Sequence, residues 1–186
     1  ITGGAGFLGS EYAAFLLAAG GRVAIFDALD SAEIEKRIRV IEKKSGKKPL
    51  GFSVDITDQA AARKAADALL KRWGGIDALV NNAALTYSPA DKKSLGQFAP
   101  YESYPLALWQ RALDVGLTGT LIMTQAVIPA MKKQRAGVIV NVGSIYGIVA
   151  HDHRMYEPGR FGSIAYATAK GALPNFTREL ASYLAP

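Results

Sequence analysis

The chain opens on Ile1-Thr2-Gly3-Gly4-Ala5-Gly6-Phe7-Leu8-Gly9, and this stretch decides the fold. Residues 4 to 9 fit the pattern G-x-G-x-x-G, placed after the exit of a strand and before a helix. Without Cβ atoms, Gly4 and Gly6 allow a tight turn and let a pyrophosphate approach the main chain, while Gly9 lets the helix lie close to the sheet. The helix N-terminus adds oriented N–H groups and a positive dipole. The stretch therefore predicts a dinucleotide-binding turn, with an ordinary glycine turn as the alternative.

Asp27 supplies the second half of this prediction. It lies 18 residues after Gly9, at the predicted end of the next strand, near the spacing of about 20 at which an acid hydrogen-bonds the adenosine ribose. A carboxylate at that place also repels a 2′-phosphate. The turn and the acid together predict NAD as the cofactor and make NADP the weaker candidate, whereas a plain surface aspartate is the alternative.

Helix-length segments alternate along the chain with short runs rich in Val and Ile. Such alternation is typical of repeated βαβ units around a parallel sheet. The sequence therefore predicts an α/β fold, a Rossmann-type doubly wound parallel sheet with three αβα layers. The predicted strands are 22–26, 50–54, 76–80 and a buried 138–142, and the predicted helices are 10–19, 31–44, 58–72 (capped by Asp58), 106–134 and 163–184.

The two ends and two long loops bear on what the domain contains. Ile1 alone cannot form a strand, and Pro186 follows a helix with no further element after it. We therefore expect residues 1–186 to be a single domain that lacks most of its first strand and its C-terminal elements. Segments 83–104 and 147–162 are predicted to be loops, and long loops in compact domains are often functional.

Composition narrows the class of protein. Of the 186 residues, 49% are hydrophobic and 20% are charged, which is too apolar for a disordered chain. No run approaches the roughly 18 uninterrupted apolar residues of a membrane span, and a sequence without cysteine has neither disulfides nor thiolate metal sites. The net charge of +6 comes mostly from scattered basic residues, a pattern that does not favour nucleic-acid binding. A cytoplasmic enzyme acting on a small molecule is the default expectation.

Two further positions carry candidate chemistry. Tyr166 and Lys170 are four residues apart in a predicted helix, so their side chains share one face. A nearby cation stabilises a phenolate, which suits a phenol that acts as a general acid or base; the alternative is ordinary surface packing. Ser144 follows a predicted strand at the edge where open α/β sheets bind ligands, and its alternative role is to form the turn before Gly147.

Four blocks occur in order: Thr2 to Gly9, Asn81-Asn82-Ala83-Ala84, Asn141-Val142-Gly143-Ser144, and Tyr166 to Lys170. In this order and at this spacing they resemble the short-chain dehydrogenase/reductase family, from Thr2 to the end of the chain. The resemblance implies that Tyr166 exchanges a proton with the substrate oxygen. It also implies that Lys170 stabilises the phenolate and holds the nicotinamide ribose, and that Ser144 orients the reacting oxygen.

The resemblance also implies a cofactor groove. Asp55 would flank the adenine ring with Ile56 beside it, and Asn81 and Ala83 would line the groove. Ser144, Tyr166 and Lys170 are thus the candidate catalytic residues, with no metal site. The candidate cofactor-binding residues are Gly3, Gly6, Phe7, Leu8, Gly9, Asp27, Asp55, Ile56, Asn81, Ala83, Tyr166 and Lys170.

Three features depart from the common dehydrogenase pattern. The glycines of residues 3–9 also have the spacing Gly-x-x-Gly-x-x-Gly, which resembles the extended branch of the family, home of nucleotide-sugar epimerases and dehydratases. Gly116 stands where the family usually carries an Asn that helps to hold a water in the proton relay. Ser144 and Tyr166 are 22 residues apart, more than in the common forms, so the loop 151–157 resembles an insertion.

This inserted loop has polar residues of its own. The segment His151–His153 could suggest a metal site, but two imidazoles two residues apart with no evident further ligand favour solvated or substrate-facing side chains. Arg154 and Glu157 could reach a polyol or an anionic sugar. With the segment Ser144–Gly147, the loop resembles family members associated with bacterial surface-sugar and flagellin-modification pathways.

These features together predict an oxidoreductase that transfers a hydride between NAD and a secondary alcohol or ketone, with a sugar-like or polyol substrate. One alternative is a nucleotide-sugar epimerase or dehydratase with tightly bound NAD. The other, motivated by Gly116, is a non-catalytic dinucleotide-binding protein. By resemblance, helices 106–134 and 163–184 would form a homodimer or homotetramer.

Overall fold

The computed structural model describes residues 1–86 and 92–185. Within them, helices alternate with four short strands, as the sequence predicts. The helices are α1 (Phe7–Ala18), α2 (Ser31–Ser45), α3 (Gln59–Trp73), α4 (Leu106–Leu113), α5 (Gly119–Gln134) and α6 (Ile164–Leu184); the strands are β1 (Ala24–Asp27), β2 (Leu50–Ser53), β3 (Ala78–Asn81) and β4 (Val138–Asn141).

Contacts along the chain group its residues into two compact units, Ile1–Ala83 with Gly119–Val142, and Ala84–Thr118 with Gly143–Pro186. The first unit contains the sheet. In it β1 pairs with β2 and β3 pairs with β4, both in parallel. The segment before α1 lies between these pairs, because Phe26 N donates to Ile1 O at 2.9 Å and Thr2 N donates to Val80 O at 3.0 Å. The resulting order, β2, β1, the N-terminal segment, β3, β4, is that of a doubly wound sheet.

Alternating side chains of β1 cover the two faces of this sheet. Ile25 is fully buried in the cluster formed by α1 and α2. Ala24 and Phe26 point the other way, into the cluster formed with α3 and α5. Since successive strand residues face opposite sides, the first unit has helices on both faces of its sheet, and the predicted three αβα layers are confirmed.

Three predicted elements need correction. Helix α1 begins at Phe7, three residues before the predicted start, because the chain enters the helix directly from Gly6 and the Ser10 hydroxyl donates to Phe7 O. The predicted helix 106–134 is interrupted by a π-helical turn at Asp114–Thr118. Strand β4 is not buried on both sides, since among the described strands it pairs only with β3, and its Val138 and Val140 are 58% and 45% exposed.

The second unit is built around α6. Ser163 caps this helix by accepting a hydrogen bond from Tyr166 N at 3.3 Å, and α4 packs against it. Several 3₁₀ turns complete the unit, among them Ile145–Gly147 and His153–Met155.

The stretch Leu106–Gln134 is long and apolar enough to cross a membrane, judged by length and composition alone. Half of its most apolar window is nevertheless buried inside the fold, as in the core helix of a globular protein. The observation is therefore weak support for a membrane span.

Candidate active site

At Gly3 and Gly9 the glycine turn leaves no room for a Cβ because backbone atoms lie too close. Gly3 has a φ of +60°, and a Cβ on it would lie 2.9 Å from the Cα of Ala83. A Cβ on Gly9 would meet the carbonyl oxygen of Gly3 and would lie 2.7 Å from the Cα of Gly4. Both neighbours are backbone atoms that cannot rotate away. The turn is thus closed tightly on itself and against the end of β3, and this close packing accounts for Gly3 and Gly9.

A pair of side chains that sequence reasoning did not select holds this turn in place. The hydroxyl oxygen of Thr2 accepts hydrogen bonds from Asn82 N at 3.0 Å and Ala83 N at 3.1 Å. In return, Asn82 Nδ2 donates to Thr2 O at 3.0 Å and to Gly3 O at 3.2 Å. Thr2 is 1% exposed. These four hydrogen bonds form a brace that joins the entry of the glycine turn to the end of β3. Ala83 takes part in it through its backbone rather than its methyl group.

The start of α1 leaves backbone donors for a ligand. Gly6 is the N-cap of the helix and has no side chain to bond the first N–H groups. Phe7 and Leu8 follow with side chains that are 83% and 48% exposed. A glycine cradle that a Cβ would fill, next to a helix N-terminus without a side-chain cap, fits the pyrophosphate of a dinucleotide.

Asp27 lies beside this turn. It is the last residue of β1, and its Oδ2 accepts a hydrogen bond from Ala5 N at 3.0 Å. Its Oδ1 accepts a longer one, of 3.4 Å, from Leu29 N. The half-buried carboxylate therefore touches the turn that would hold the pyrophosphate. Besides its predicted contact with a ribose, it positions the turn itself.

Asp55 and Ile56 follow β2, and their side chains are placed differently. Asp55 Oδ1 accepts hydrogen bonds from the backbone N–H of Thr57 at 2.9 Å and from its hydroxyl at 2.7 Å. This local turn orients the carboxylate at the carboxyl end of the sheet. Ile56 is 5% exposed, and its side chain lies in the core against α3 and α5. Only its backbone is left to serve a cofactor.

Asn81 belongs to a buried polar group between the ends of β3 and β4. Its Nδ2 donates to Asn141 Oδ1 at 2.9 Å and to Thr124 Oγ1 at 3.2 Å. The side chain is 3% exposed, and its Oδ1 is a buried oxygen with no partner among the described residues. The structure thus buries this carboxamide at the carboxyl ends of β3 and β4, where its hydrogen bond to Asn141 joins the two strands.

In the second unit, Ser144 caps the turn that follows it. Its Oγ accepts a hydrogen bond from Tyr146 N at 3.2 Å. The turn is packed on α6, because a Cβ on Gly147 would lie 2.6 Å from the carbonyl oxygen of Lys170. Ser144 thus forms the turn, and this turn lies beside the helix that carries the candidate catalytic residues.

Tyr166 and Lys170 lie one turn apart on α6. The Lys170 Nζ is 5.9 Å from the centroid of the Tyr166 ring. Lys170 is 3% exposed, and burial lowers the pKa of its ammonium group. The half-buried phenol has its backbone fixed by Ser163, whose hydroxyl shares a hydrogen bond of 3.2 Å with the hydroxyl of Tyr104. Sequence reasoning missed both residues, because a contact between positions so far apart leaves no local signal.

Gly116 lies in the π-helical turn and is buried against α6. A Cβ there would be 3.1 Å from the Cβ of Ala169, the residue before Lys170. Single π-turns occur frequently at functional sites. A side chain at position 116 would therefore require Ala169 to move by a few tenths of an ångström.

The loop before α6 is folded on itself. The ring of His151 stacks on that of Tyr146, with centroids 3.8 Å apart, and His153 Nδ1 accepts a hydrogen bond from Gly162 N at 3.2 Å. Burial, followed by the charge of His153, lowers the pKa of His151. The guanidinium of Arg154 binds both carboxylate oxygens of Asp152, at 2.8 and 2.7 Å. The imidazoles and the arginine therefore have partners within the loop, and the side chain of Arg154 is also 90% exposed.

Sequence comparison identifies the group to which these features belong. The family model described as short chain dehydrogenase matches residues 1–186. The chain belongs to the short chain dehydrogenase family. The resemblance seen in the four sequence blocks is thereby confirmed, and the Rossmann-type fold is that of the solved members of the family.

Three members of the family illustrate the likeness. The 3-oxoacyl-(acyl-carrier-protein) reductase FabG of Aquifex aeolicus is 34% identical over 100% of this chain and 67% of its own length. Cyclopentanol dehydrogenase of Comamonas testosteroni is 32% identical over 100% of this chain and 66% of its own. The crystal structure of an NAD+-bound xylitol dehydrogenase superposes with a TM-score of 0.83 at 30% identity, over 100% of this chain and 64% of that one.

The chain thus spans about two thirds of the length of these short chain dehydrogenases.

Proposed function

We propose that this protein is an NAD-dependent oxidoreductase that interconverts a secondary alcohol and a ketone, with Tyr166 as the proton donor and acceptor. Membership of the short chain dehydrogenase family supports oxidoreductase chemistry. The choice of NAD, the roles of individual residues and the substrate are the proposal.

The observation that carries the proposal is the burial of Lys170 beside Tyr166. Lysine is rarely fully buried, because desolvating an ammonium group is costly. Here the side chain is 3% exposed, and its Nζ lies 5.9 Å from the centre of the phenol ring. A cation in that position stabilises negative charge on the phenol oxygen more than it would in water. A general acid and base needs such support, whereas a structural tyrosine does not.

In this proposal the Tyr166 oxygen exchanges a proton with the substrate oxygen. During oxidation the Tyr166 phenolate accepts the proton of the substrate hydroxyl, and during reduction the phenol returns it to the carbonyl oxygen. Ser144 donates a hydrogen bond to the same oxygen and orients it. When bound, NAD would supply the hydride acceptor for oxidation of the carbinol carbon, and NADH the hydride donor for the reverse reaction.

The first unit supplies the candidate cofactor contacts. The cradle of Gly3, Gly6 and Gly9 and the uncapped start of α1 would hold the pyrophosphate. Asp27 would accept hydrogen bonds from the adenosine ribose, and its charge would disfavour a 2′-phosphate. Phe7 and Leu8 are exposed where the cofactor would pass.

The similar proteins support two different substrate classes, one polar and one apolar. The sequence predicts a sugar-like or polyol substrate, and the likeness to a xylitol dehydrogenase supports it. The likeness to cyclopentanol dehydrogenase supports a hydrocarbon ketone instead.

Calorimetric titration of the full-length protein with NAD and NADP tests the cofactor, and absorbance of NADH with a panel of ketones and alcohols tests the reaction. We expect tight binding of NAD, weak binding of NADP, and turnover that depends on added NAD. Binding of neither dinucleotide by a protein that also releases none on denaturation would contradict the proposal.

Gly116 favours one second candidate, a protein that binds a dinucleotide without turnover, because glycine offers no side chain to hold a relay water. That candidate predicts NAD binding and no activity across the panel. The Gly116→Asn variant should then gain activity if the missing side chain is the reason. Release of tightly bound NAD on denaturation would instead favour the epimerase or dehydratase alternative.

We also propose that the protein is a homodimer or homotetramer located in the cytoplasm. Apolar side chains exposed on α4 and α5, Leu106 at 77% and Leu121 at 42%, support association through these helices. Light scattering during size-exclusion chromatography measures the oligomeric state, and a monomer at micromolar concentration would contradict this part of the proposal.

A further inference from the structure

Each of the three residues before α6 is held by a hydrogen bond from another part of the second unit. These bonds, of 3.0 to 3.2 Å, run from Phe161 N to Phe98 O, from Gly162 N to His153 Nδ1, and between the hydroxyls of Ser163 and Tyr104. The third bond differs from the others because it joins two side chains and because Ser163 is the N-cap of α6. It therefore reaches the helix through a group that a single substitution can remove.

Ser163 holds the backbone of Tyr166 itself. Its Oγ accepts a hydrogen bond from Tyr166 N at 3.3 Å, and its carbonyl oxygen accepts one from Ala167 N at 3.1 Å. A hydroxyl group has one proton and two lone pairs. Whichever hydroxyl donates in the bond between Ser163 and Tyr104, a lone pair of Ser163 stays available to Tyr166 N. This serine thus links the Tyr104 hydroxyl to the residue that is proposed to exchange the proton.

The backbone of Tyr104 is fixed on both sides. Its N–H donates to Tyr101 O at 3.4 Å, at the end of the 3₁₀ turn Tyr101–Ser103. The next residue, Pro105, favours the extended backbone that Tyr104 adopts, with a φ of −61° and a ψ of 125°, and it is the N-cap of α4. Helix α4 packs against α6. Tyr104 is thus well placed to hold the start of α6 through its hydroxyl.

The burial of Ser163 limits the partners that its hydroxyl can find. The residue is 9% exposed, and a buried hydroxyl that lacks a hydrogen bond is costly. Without the Tyr104 hydroxyl, the Ser163 side chain gains by rotating toward another acceptor, and its Oγ then leaves Tyr166 N. The first turn of α6 and the phenol that it carries lose their anchor. A misplacement of reacting groups by about 1 Å can cost a hundredfold in rate.

We propose that Tyr104 is a positioning residue for the proton transfer at Tyr166 and that it acts through the Ser163 cap. This role rests on the proposed function, because it serves the reaction assigned there to Tyr166. The Tyr104 hydroxyl exchanges no proton with the substrate, and it keeps the phenol where the transfer occurs. Loss of this hydroxyl therefore slows the proton transfer and leaves the binding of NAD and of the ketone nearly unchanged.

The test measures kcat and KM for the NADH-dependent reduction of the ketone that the full-length protein turns over fastest. The variants are Tyr104→Phe, Ser163→Ala and the double variant. The matched control is Tyr101→Phe, which removes the same oxygen from a residue of the adjoining turn that is 75% exposed. Exchange of the Tyr166 amide proton with water, measured by NMR, reports the cap without any turnover. Urea denaturation measures the stability of each variant separately.

We expect Tyr104→Phe to lower kcat by about tenfold with little change in KM, and to accelerate exchange of the Tyr166 amide. Ser163→Ala should have the same two effects. The double variant should be no worse than Ser163→Ala alone, because the Tyr104 hydroxyl acts through the serine. Tyr101→Phe should match the parent protein in every measurement.

An unchanged kcat or an unchanged amide exchange in Tyr104→Phe would overturn the positioning role and leave the proposed function intact. Additive losses in the double variant would overturn it too, since Tyr104 would then act independently of Ser163. The same holds for an unfolded fraction large enough to account for the lost kcat. A parent protein that turns over no ketone would overturn the proposed function itself, and the role of Tyr104 with it.

Discussion

The Gly9→Ala substitution probes the glycine turn through a clash that the structure defines. The added methyl carbon would lie 2.7 Å from Gly4 Cα and would also meet the Gly3 carbonyl oxygen. Both are backbone atoms, so the strain cannot be relieved by a side-chain rotation. Overpacking of this kind costs about 2 kcal/mol. That cost must appear in one of two measurements.

If the turn opens to relieve the clash, NAD must close it again, and the dissociation constant should rise by about thirtyfold. If the turn stays closed, the free energy of unfolding in urea should fall by about 2 kcal/mol instead. Calorimetry with NAD and chemical denaturation of the same sample measure both quantities. Gly171→Ala is the matched control, because its Cβ would make only an ordinary contact of 3.5 Å. A Gly9→Ala protein with unchanged affinity and unchanged stability would refute the close packing of the turn.

Three further predictions concern charge. Asp27→Asn keeps an oxygen that can accept from the turn but removes the negative charge, so the affinity for NADP should rise by about tenfold relative to NAD; Asp30→Asn, the same change at the cap of α2, should leave the ratio unaltered. Burial lowers the pKa of Lys170, so the protonated side chain destabilises the fold below that pKa. Lys170→Met should abolish turnover because it removes the proposed cation, yet its free energy of unfolding at pH 7 should be at least that of the parent, with the difference narrowing as the pH rises toward 10.5. A clear loss of stability in this variant would contradict the prediction. Burial and the charge of His153 lower the pKa of His151, so acidification below pH 6.5 should weaken the loop; amide exchange there, corrected for its intrinsic rate, should accelerate in the parent and not in His151→Phe.

Local pattern predicted most of the fold, and it failed where the pattern carries no information. The alternation of helices and strands, the cap at Asp58 and the parallel sheet follow from periodicity and turn chemistry. The π-helical turn around Gly116 escaped prediction because one extra residue in a helical turn leaves the apolar pattern on either side intact. The exposure of β4 escaped it because a short apolar run such as Val138-Ile139-Val140 has the same pattern whether one or both faces of the strand are covered.

The same distinction holds for the candidate site. Asp27 and Ser144 were placed correctly at strand exits because the carboxyl ends of parallel strands meet at one edge. The brace between Thr2 and Asn82 joins residues 80 positions apart, and no local pattern encodes such a contact. That Arg154 could reach a polyol or an anionic sugar stays a prediction; the sequence did not indicate that its guanidinium also pairs with Asp152.

Proton transfer through Tyr166 is the central claim, and Tyr166→Phe tests it most directly, because only the phenol oxygen is removed. The measurement is NAD affinity by calorimetry together with the rate of NADH formation from a substrate of the parent protein, with Tyr183→Phe as the control on the same helix. We predict that Tyr166→Phe binds NAD nearly as the parent does and loses turnover by at least a thousandfold, while Tyr183→Phe retains both. Turnover within tenfold of the parent in Tyr166→Phe would remove this tyrosine from the mechanism and contradict the account.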